Sequence, residues 1–262
     1  MKLAIISDIH ANATALKIAL AAIRATPGVD RIICLGDVVG FHTQPGECIE
    51  LVRANNIRCI SGNHDAGVAG KLGAEKFPWE CWEAIEWTRK EISSAQHQFL
   101  QSLNTMTAEG GQFWMMHGVL GDVHHYMNRE WKVRYVASRL WLARCRFGFF
   151  GHTHTQTCYR IKGLPFAGTL ETLDVSQPIS LDDRSTYLIN PGTIGQPRTR
   201  DAAVRFAFID FENRLLTFER IPYDYAAVTR ETLSVFPRHA PLYKRFDSPP
   251  GEPRKEISIT QS

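Results

Sequence analysis

The sequence lacks the features of disulfide-rich proteins and of membrane-spanning proteins. Its cysteines contain no CxxC pair, so neither a disulfide scaffold nor a thiolate zinc site is expected. The apolar start of the chain is interrupted early by Asp8 and His10, and no later window reaches the length of a membrane span. We therefore expect a cytoplasmic protein without a membrane segment. The cysteines stand at Cys34, Cys48, Cys59, Cys81, Cys145 and Cys158.

Neither basic nor acidic residues are in large excess. The 30 basic and 27 acidic residues give a net charge of +3, which is too small an imbalance to indicate a nucleic acid or a membrane surface as partner. The hydrophobic fraction of 44% is ordinary, and 262 residues suffice for one large domain or two small ones. Since neither an internal repeat nor a linker divides the chain, one domain with an inserted cap fits best.

Strands and helices alternate at the start of the chain. Short apolar runs at residues 2–7, 31–35 and 57–60 predict strands, and the patterns at 13–25 and 46–54 predict helices between them. This order indicates a parallel or mixed sheet with right-handed crossovers. In such sheets, ligands bind at the carboxyl ends of the strands.

A helical pattern rich in tryptophan follows at residues 77–103. Trp79, Trp82 and Trp87 recur at helical spacing, and tryptophans in this pattern usually belong to the core. The alternative is a helical cap whose aromatic face covers a substrate pocket.

The second half of the chain has mostly β texture. Strands are predicted at 112–116 and 147–150, with a helix at 132–144 between them. We expect the later strands to form a second sheet of their own, followed by a closing helix at 223–236. Those later strands are predicted at 156–161, 169–173, 185–189, 203–210 and 215–220.

Side chains that can bind metals follow five of the predicted strands. Any one of them has an ordinary structural explanation, but their coincidence does not. Carboxylate, imidazole and amide oxygen donors suit manganese, iron, zinc, nickel or cobalt. Seven of these side chains are more than one ion needs, but two ions that share a carboxylate would use them, and such a pair clamps a phosphoryl group. The residues are Asp8, His10, Asp37, Asn63, His64, His117, His152 and His154.

Five ordered segments resemble the motifs of the calcineurin-like metallophosphoesterases, over residues 1 to about 235. A further segment at 190–198 resembles the small prokaryotic branch that includes the YfcE-like phosphodiesterases. As a set the five segments are highly specific, although each alone is weak. They are Asp8-Ile9-His10, Gly36-Asp37, Gly62-Asn63-His64-Asp65, His117-Gly118 and Gly151-His152-Thr153-His154.

The resemblance implies the fold and, with the pattern above, the domain plan. The fold would be α/β (α+β), a four-layer αββα sandwich with a helical cap insertion. We expect a single domain over residues 1–235, with the cap at about 66–111. The remaining residues, 236–262, would form a C-terminal extension that is mobile at its end.

The resemblance also implies a division of roles at the site. A hydroxide between two divalent ions would attack phosphorus, and His64 would protonate the leaving oxygen as general acid. Asn63 would contact the substrate phosphate as well as metal, and Asp37 would bridge the ions. One ion would be held by Asp8, His10, Asp37 and His154, and the other by Asp37, Asn63, His117 and His152.

The sequence departs from the protein phosphatases of this superfamily. Their motif continues to a second Asp, which orients the acid imidazole, and to an Arg that binds phosphate, but residues 36–41 contain neither. Asp8 or a backbone carbonyl is then the candidate partner of His64. Arg198 is a candidate phosphate ligand, with a structural salt bridge as the alternative.

The sequence does not assign a role to the histidines at two further places. Many relatives have Tyr-Gly-Pro where this chain has Phe41, His42 and Thr43, and His42 contacts either substrate or solvent. His124 and His125 are left out of the ligand set, because adjacent side chains diverge in direction.

The predicted function is hydrolysis of phosphodiesters or small phosphomonoesters by a dimetal phosphoesterase. The alternatives are a phosphoprotein phosphatase and a non-catalytic scaffold of the same fold. A scaffold has no chemical need for His64, so retention of His64 and of all the ligands favours the enzyme. The expected partner is a small phosphoester, whereas the native metals and the oligomeric state stay open.

Overall fold

Twelve strands in two mixed sheets form the centre of the computed structural model, which describes residues 1–199 and 201–243. The strands are β1 (Lys2–Ile6), β2 (Arg31–Cys34), β3 (Arg58–Cys59), β4 (Met106–Glu109), β5 (Phe113–Met116), β6 (Phe147–Phe149), β7 (Gln156–Lys162), β8 (Thr169–Thr172), β9 (Ile179–Ser180), β10 (Ser185–Pro191), β11 (Ala203–Asp210) and β12 (Leu215–Pro222). The helices are α1 (Ala13–Ala25), α2 (Pro45–Ala54), α3 (Asn63–Val68), α4 (Trp79–Glu91), α5 (Ser94–Ser102), α6 (Glu130–Leu142), α7 (Tyr225–Val235) and α8 (Ala240–Tyr243).

The first sheet has the order β3-β2-β1-β11-β12-β9, and the second has the order β4-β5-β6-β10-β7-β8. β1, β2 and β3 are parallel, as are β5, β6 and β10, whereas the remaining neighbours pair antiparallel. Each sheet therefore contains a parallel part, and the carboxyl ends of both parallel parts lead towards the same site.

Successive side chains of a strand point to opposite faces of its sheet, so each sheet packs against a different layer on each face. In β1, Leu3 and Ile5 belong to the core between the sheets, while Ala4 and Ile6 pack in the core that contains α1. On the other sheet, Leu188 packs in the core that contains α6. A side-chain period of two thus gives each sheet two apolar faces. The result is a helix–sheet–sheet–helix sandwich, which confirms the predicted four-layer α/β fold.

The prediction that the later strands form a second sheet of their own is wrong about which strands belong to it. β11 pairs with β1, and β12 and β9 extend that first sheet, while β5 and β6 belong to the second. The apolar alternation of β11 fits either sheet, since Ala207 and Ile209 fill the core between them. Periodicity shows which face of a strand is buried but not which strand lies beside it.

The helical stretch predicted at 77–103 is two helices. The chain leaves α4 at Ile92, and α5 begins with a capping box in which Ser93 and Gln96 exchange side-chain to backbone hydrogen bonds. These helices lie between β3 and β4 in the chain. β4 itself pairs with β5, so the end of the predicted cap segment is part of a sheet.

The tryptophans of α4 do not form the buried face of this helix. Its buried residues are Ala84, Ile85 and Thr88, whereas Trp79 is 47% exposed and the other two are half-buried. A helix needs only one apolar stripe, and the smaller side chains supply it here.

The chain beyond α7 folds back onto α4. Nε2 of His239 lies 2.8 Å from a carboxylate oxygen of Glu83, and the ring of Phe236 contacts that of Trp87 edge-on, with 5.3 Å between the centroids. The start of the predicted extension is therefore attached to the cap. Its remainder, residues 244–262, lies outside the described residues, so the mobility expected at its end stays a prediction.

No helix in the described part of the chain combines the length and the apolar character that crossing a membrane requires. The cytoplasmic location stays a prediction.

Candidate metal centre

The predicted ligands leave the strands in an unusual backbone conformation. Positive φ angles occur at Asp8 (55°), His10 (51°), Asp37 (54°), His152 (65°) and His154 (59°). Such left-handed conformations are uncommon for residues other than glycine, and they concentrate at ligand sites. The strand ends therefore turn sharply enough to aim successive side chains at one point.

The first group of side chains contains Asp8, His10 and His154. Nε2 of His154 lies 3.2 Å from Oδ1 of Asp8 and 3.1 Å from Nε2 of His10. All three side chains are buried, and their candidate donor atoms lie within 4.8 Å of one another. The group could hold one metal ion.

The second group contains Asp37, Asn63, His117 and His152. Nε2 of His117 lies 3.2 Å from Oδ2 of Asp37 and 3.1 Å from Oδ1 of Asn63. Donor atoms of His152, His117 and Asp37 also lie within 4.8 Å of one another. This group offers a second position for an ion.

One carboxylate oxygen lies between the two groups. Oδ2 of Asp37 is 3.2 Å from Nε2 of His117 and 3.7 Å from Nε2 of His10. The other oxygen, Oδ1, accepts a hydrogen bond from the backbone N–H of His64 at 2.9 Å. A side chain on Gly62 would collide with this oxygen, so glycine is required where α3 approaches Asp37.

Backbone carbonyls fix the imidazole tautomers. Nδ1 of His117 donates to the carbonyl of Leu35 at 2.7 Å, and Nδ1 of His154 donates to the carbonyl of Gln196 at 2.8 Å. Because a carbonyl can only accept, these protons stand on Nδ1 and leave Nε2 directed at the centre. This outer hydrogen bond is the arrangement typical of metal-binding histidines.

Electrostatics also favours a cation at this place. Burial opposes the charged form of His117, but the charge of Asp37 overrides it and raises the pKa of that imidazole to about 10. Burial lowers the pKa of His10 and of His152 well below the ordinary value. Without a metal, a proton on His117 thus offsets the carboxylate, and a bound cation would replace that proton.

The donor set therefore fits divalent cations. Oδ1 of Asp8 is buried and makes no hydrogen bond within the described residues, although imidazole nitrogens lie close to it. Buried acceptors that face one another without a shared proton are unfavourable unless a cation lies among them. Oxygen and imidazole donors without thiolate match first-row divalent metals.

Comparison with known proteins agrees with this geometry. The family description "calcineurin-like phosphoesterase superfamily domain" matches residues 1–214. The chain belongs to the calcineurin-like phosphoesterase superfamily. The predicted family is therefore confirmed.

Similar proteins include both sequences and solved structures. The uncharacterized protein MJ0912 of Methanocaldococcus jannaschii is 33% identical over 232 residues, covering 85% of this chain and 88% of its own. A metallophosphoesterase from Sphaerobacter thermophilus is 28% identical with a TM-score of 0.74, over 94% of this chain and 99% of that one. The hypothetical protein PH1004 from Pyrococcus horikoshii has a TM-score of 0.72 at 15% identity, over 94% and 97%, and shares the fold.

His64 lies beside the two groups of candidate ligands. It is 4% exposed, and one of its nitrogens lies within 4.8 Å of donor atoms of His10 and Asp37. Burial lowers its pKa to about 4. Within the described residues Nδ1 of His64 makes no hydrogen bond, so neither of the predicted partners, Asp8 or a carbonyl, binds this nitrogen.

Asp65 has a structural task away from His64. Its Oδ1 accepts hydrogen bonds from the backbone N–H groups of Val38 at 2.9 Å and Val39 at 3.2 Å, and its Oδ2 accepts from Gly62 at 3.0 Å. The carboxylate therefore connects the loop after β2 to the start of α3. This connection holds the loop of Asp37 against the helix that carries Asn63.

Arg198 stands at the rim of the centre. Its guanidinium lies 5.8 Å from the ring centroid of Tyr126, and that ring stacks on His152 at 4.0 Å. The charge of Arg198 adds to burial in lowering the pKa of His154. The guanidinium also donates to the hydroxyl of Tyr126 at 3.4 Å, so one aromatic ring separates Arg198 from His152.

Residues outside the predicted ligand set line the same side, among them His124, which the sequence analysis left out. Nε2 of His152 donates to the carbonyl of His124 at 3.0 Å, and the ring of Phe77 contacts both His124 at 5.2 Å and His64 at 5.8 Å. Tyr126, which stacks on His152, belongs to the same group. No local motif marks these positions, because each reaches the site from a loop distant in sequence.

His42 contacts neither of the partners considered for it. Its side chain is 1% exposed, Nδ1 lies 2.8 Å from Oγ1 of Thr232, and Nε2 lies 3.4 Å from the hydroxyl of Tyr225. It thus binds α7 instead of substrate or solvent.

Proposed function

We propose that the protein is a dimetal-dependent phosphoesterase that hydrolyses phosphodiesters or small phosphomonoesters. The observation that carries the proposal is the position of Oδ2 of Asp37, which faces His117 on one side and His10 on the other. A carboxylate oxygen shared in this way is what a pair of neighbouring cations requires. Asp8, His10 and His154 would complete one site with Asp37. Asn63, His117 and His152 would complete the other.

Two divalent cations, when bound, would make a water nucleophilic near neutral pH and neutralise phosphate oxygens. The residues of this chain would do the rest. Asn63 would orient the phosphoryl group as well as bind a metal, and Arg198 would contact a phosphate oxygen from the rim. Its guanidinium offers paired N–H donors that match phosphate geometry.

His64 would act as general acid towards the leaving oxygen. It lies next to Asn63 and beside Asp37, whose Oδ1 accepts its backbone N–H. In the metal-free chain burial lowers its pKa to about 4, and the negative charge of a bound phosphoryl group would favour the protonated form. The proton would then be available in the enzyme–substrate complex.

The seven proposed ligands are at most 6% exposed, so the reacting phosphoryl group would have to reach a buried centre, which a small phosphoester does most easily. A phosphoprotein phosphatase is the less favoured alternative, because residues 36–41 lack the second Asp and the Arg of that class. A non-catalytic scaffold would not need His64.

The test is hydrolysis of bis-p-nitrophenyl phosphate by metal-stripped protein to which Mn²⁺, Fe²⁺, Zn²⁺, Ni²⁺ or Co²⁺ is returned. We expect turnover with at least one metal and none in EDTA. Absence of turnover with every one of these metals would refute the proposal that the protein is a phosphoesterase. A panel of nucleotides, cyclic nucleotides, phospholipid headgroups and phosphopeptides would then identify the substrate class.

A further inference from the structure

Phe41 has a backbone conformation that bulky residues rarely adopt. Its φ angle is 63°, although its side chain is large and only 6% exposed. A left-handed conformation at such a residue is unfavourable and persists only where its surroundings enforce it. This strain, in the loop that follows Asp37, calls for a local explanation.

The ring of Phe41 packs against two imidazoles of the centre. Its centroid lies 4.8 Å from that of His64 and 4.8 Å from that of His10. The two imidazoles themselves meet edge to face at 4.9 Å. Aromatic pairs at these separations have preferred mutual orientations. Phe41 therefore restricts how the ring of His64 can turn.

Gly40 closes the same loop on the other edge of His64. It has a φ angle of 95°, and a side chain there would collide with Nδ1 of His64. Phe77 contacts the imidazole edge-on at 5.8 Å. The ring of His64 is thus enclosed by Gly40, Phe41, Phe77 and His10.

Among the described residues, no hydrogen bond to Nδ1 of His64 adds to this packing. Nδ1 of His64 is buried without a hydrogen-bond partner among the described residues. The adjacent carboxylate, Asp65, accepts instead from the backbone of Val38, Val39 and Gly62. Packing is what defines the angle of this imidazole.

We propose that Phe41 is the positioning residue for His64, in place of the carboxylate that orients the acid in protein phosphatases. The inference rests on the proposed function, since it assumes that His64 is a general acid. Misorientation of an acid affects the proton transfer to the leaving oxygen, whereas substrate binding and metal binding need not change.

The substitution Phe41→Leu keeps an apolar side chain but removes the ring. Methyl phenyl phosphate has a poor leaving group that needs protonation, whereas methyl p-nitrophenyl phosphate has a good one that does not. We expect kcat to fall roughly 10- to 100-fold for the phenyl ester and less than about threefold for the p-nitrophenyl ester, with similar KM. Phe41→Tyr keeps the ring and should retain most of the activity.

A double-mutant cycle with His64→Ala separates positioning from general damage. If Phe41 acts through His64, Phe41→Leu should have no further effect on the phenyl ester in the His64→Ala background. Bound metal per chain should be unchanged in Phe41→Leu, measured by elemental analysis.

Three results would overturn the positioning role while leaving the proposed function intact: equal losses for both esters, a further loss in the His64→Ala background, or loss of bound metal through His10. Absence of wild-type turnover on either ester with every metal would overturn the proposed function, and the role of Phe41 with it.

Discussion

The stability of the protein should fall with decreasing pH because His42 is held neutral under α7. Burial lowers the pKa of this imidazole to about 3, whereas an exposed histidine titrates near 6.5. The unfolded chain therefore binds a proton that the folded chain excludes. The contribution of His42 to stability is complete above pH 6.5 and is lost as the pH falls towards 3.

The magnitude follows from the distance between the two pKa values. Each pH unit below 6.5 costs about 1.4 kcal/mol, so the loss at pH 5 is about 2 kcal/mol. For a chain of this size, that corresponds to a decrease of roughly 4–8 °C in the unfolding midpoint.

The assay is thermal unfolding in EDTA between pH 5 and 8, with His42→Asn as the test variant. Other buried imidazoles titrate in both proteins, so the difference in slope isolates His42. Thr232→Val is the matched control: it removes the 2.8 Å contact of the hydroxyl with Nδ1 but leaves the imidazole buried, so it should lower stability and keep the slope. Equal slopes in the wild type and in His42→Asn would refute the reasoning.

Three predictions concern the centre and its surroundings. Asp37→Ala should abolish turnover and reduce bound metal below two ions per chain, because it removes the shared carboxylate; elemental analysis and kinetics would detect this, and retained activity would contradict it. His64→Ala should keep the metals but lower kcat about 10²- to 10⁴-fold on esters with poor leaving groups; an empty metal centre would instead make His64 a ligand. We also predict that the cap region with Trp79 and Trp82 influences substrate choice, and that Trp82→Ala, which removes the ring 5.9 Å from Phe77, changes relative rates across a substrate panel. Trp79→Ala is the matched comparison, because the ring of Trp79 contacts His239. Unchanged relative rates in both variants would contradict a role of the cap in substrate choice.

The convergence of the candidate ligands could be predicted from the sequence because these residues follow apolar strands closely. Asp8 and Asp37 come after parallel neighbours, β1 and β2, whose carboxyl ends must lie together. His117 and His152 follow β5 and β6, which are also parallel neighbours, but in the other sheet. The local pattern therefore predicted which side chains lie together, although not the two sheets that bring them together.

The contacts that surround the centre could not be predicted in the same way. Tyr126 stacks on His152, and Thr232 binds His42 from 190 positions away. Neither contact leaves a periodic or local signal, since each depends on how loops pack after the sheets form. The strain at Phe41 is likewise invisible in the sequence, where a phenylalanine after glycine has no special meaning.

The most direct test of a dimetal centre is a titration of metal-stripped protein with Mn²⁺, in which bound metal per chain and turnover of bis-p-nitrophenyl phosphate are followed together. We predict that turnover rises with occupancy and reaches its maximum at two ions per chain. Full turnover at one ion per chain, or no turnover at saturation, would contradict the shared position of Asp37 between two cations.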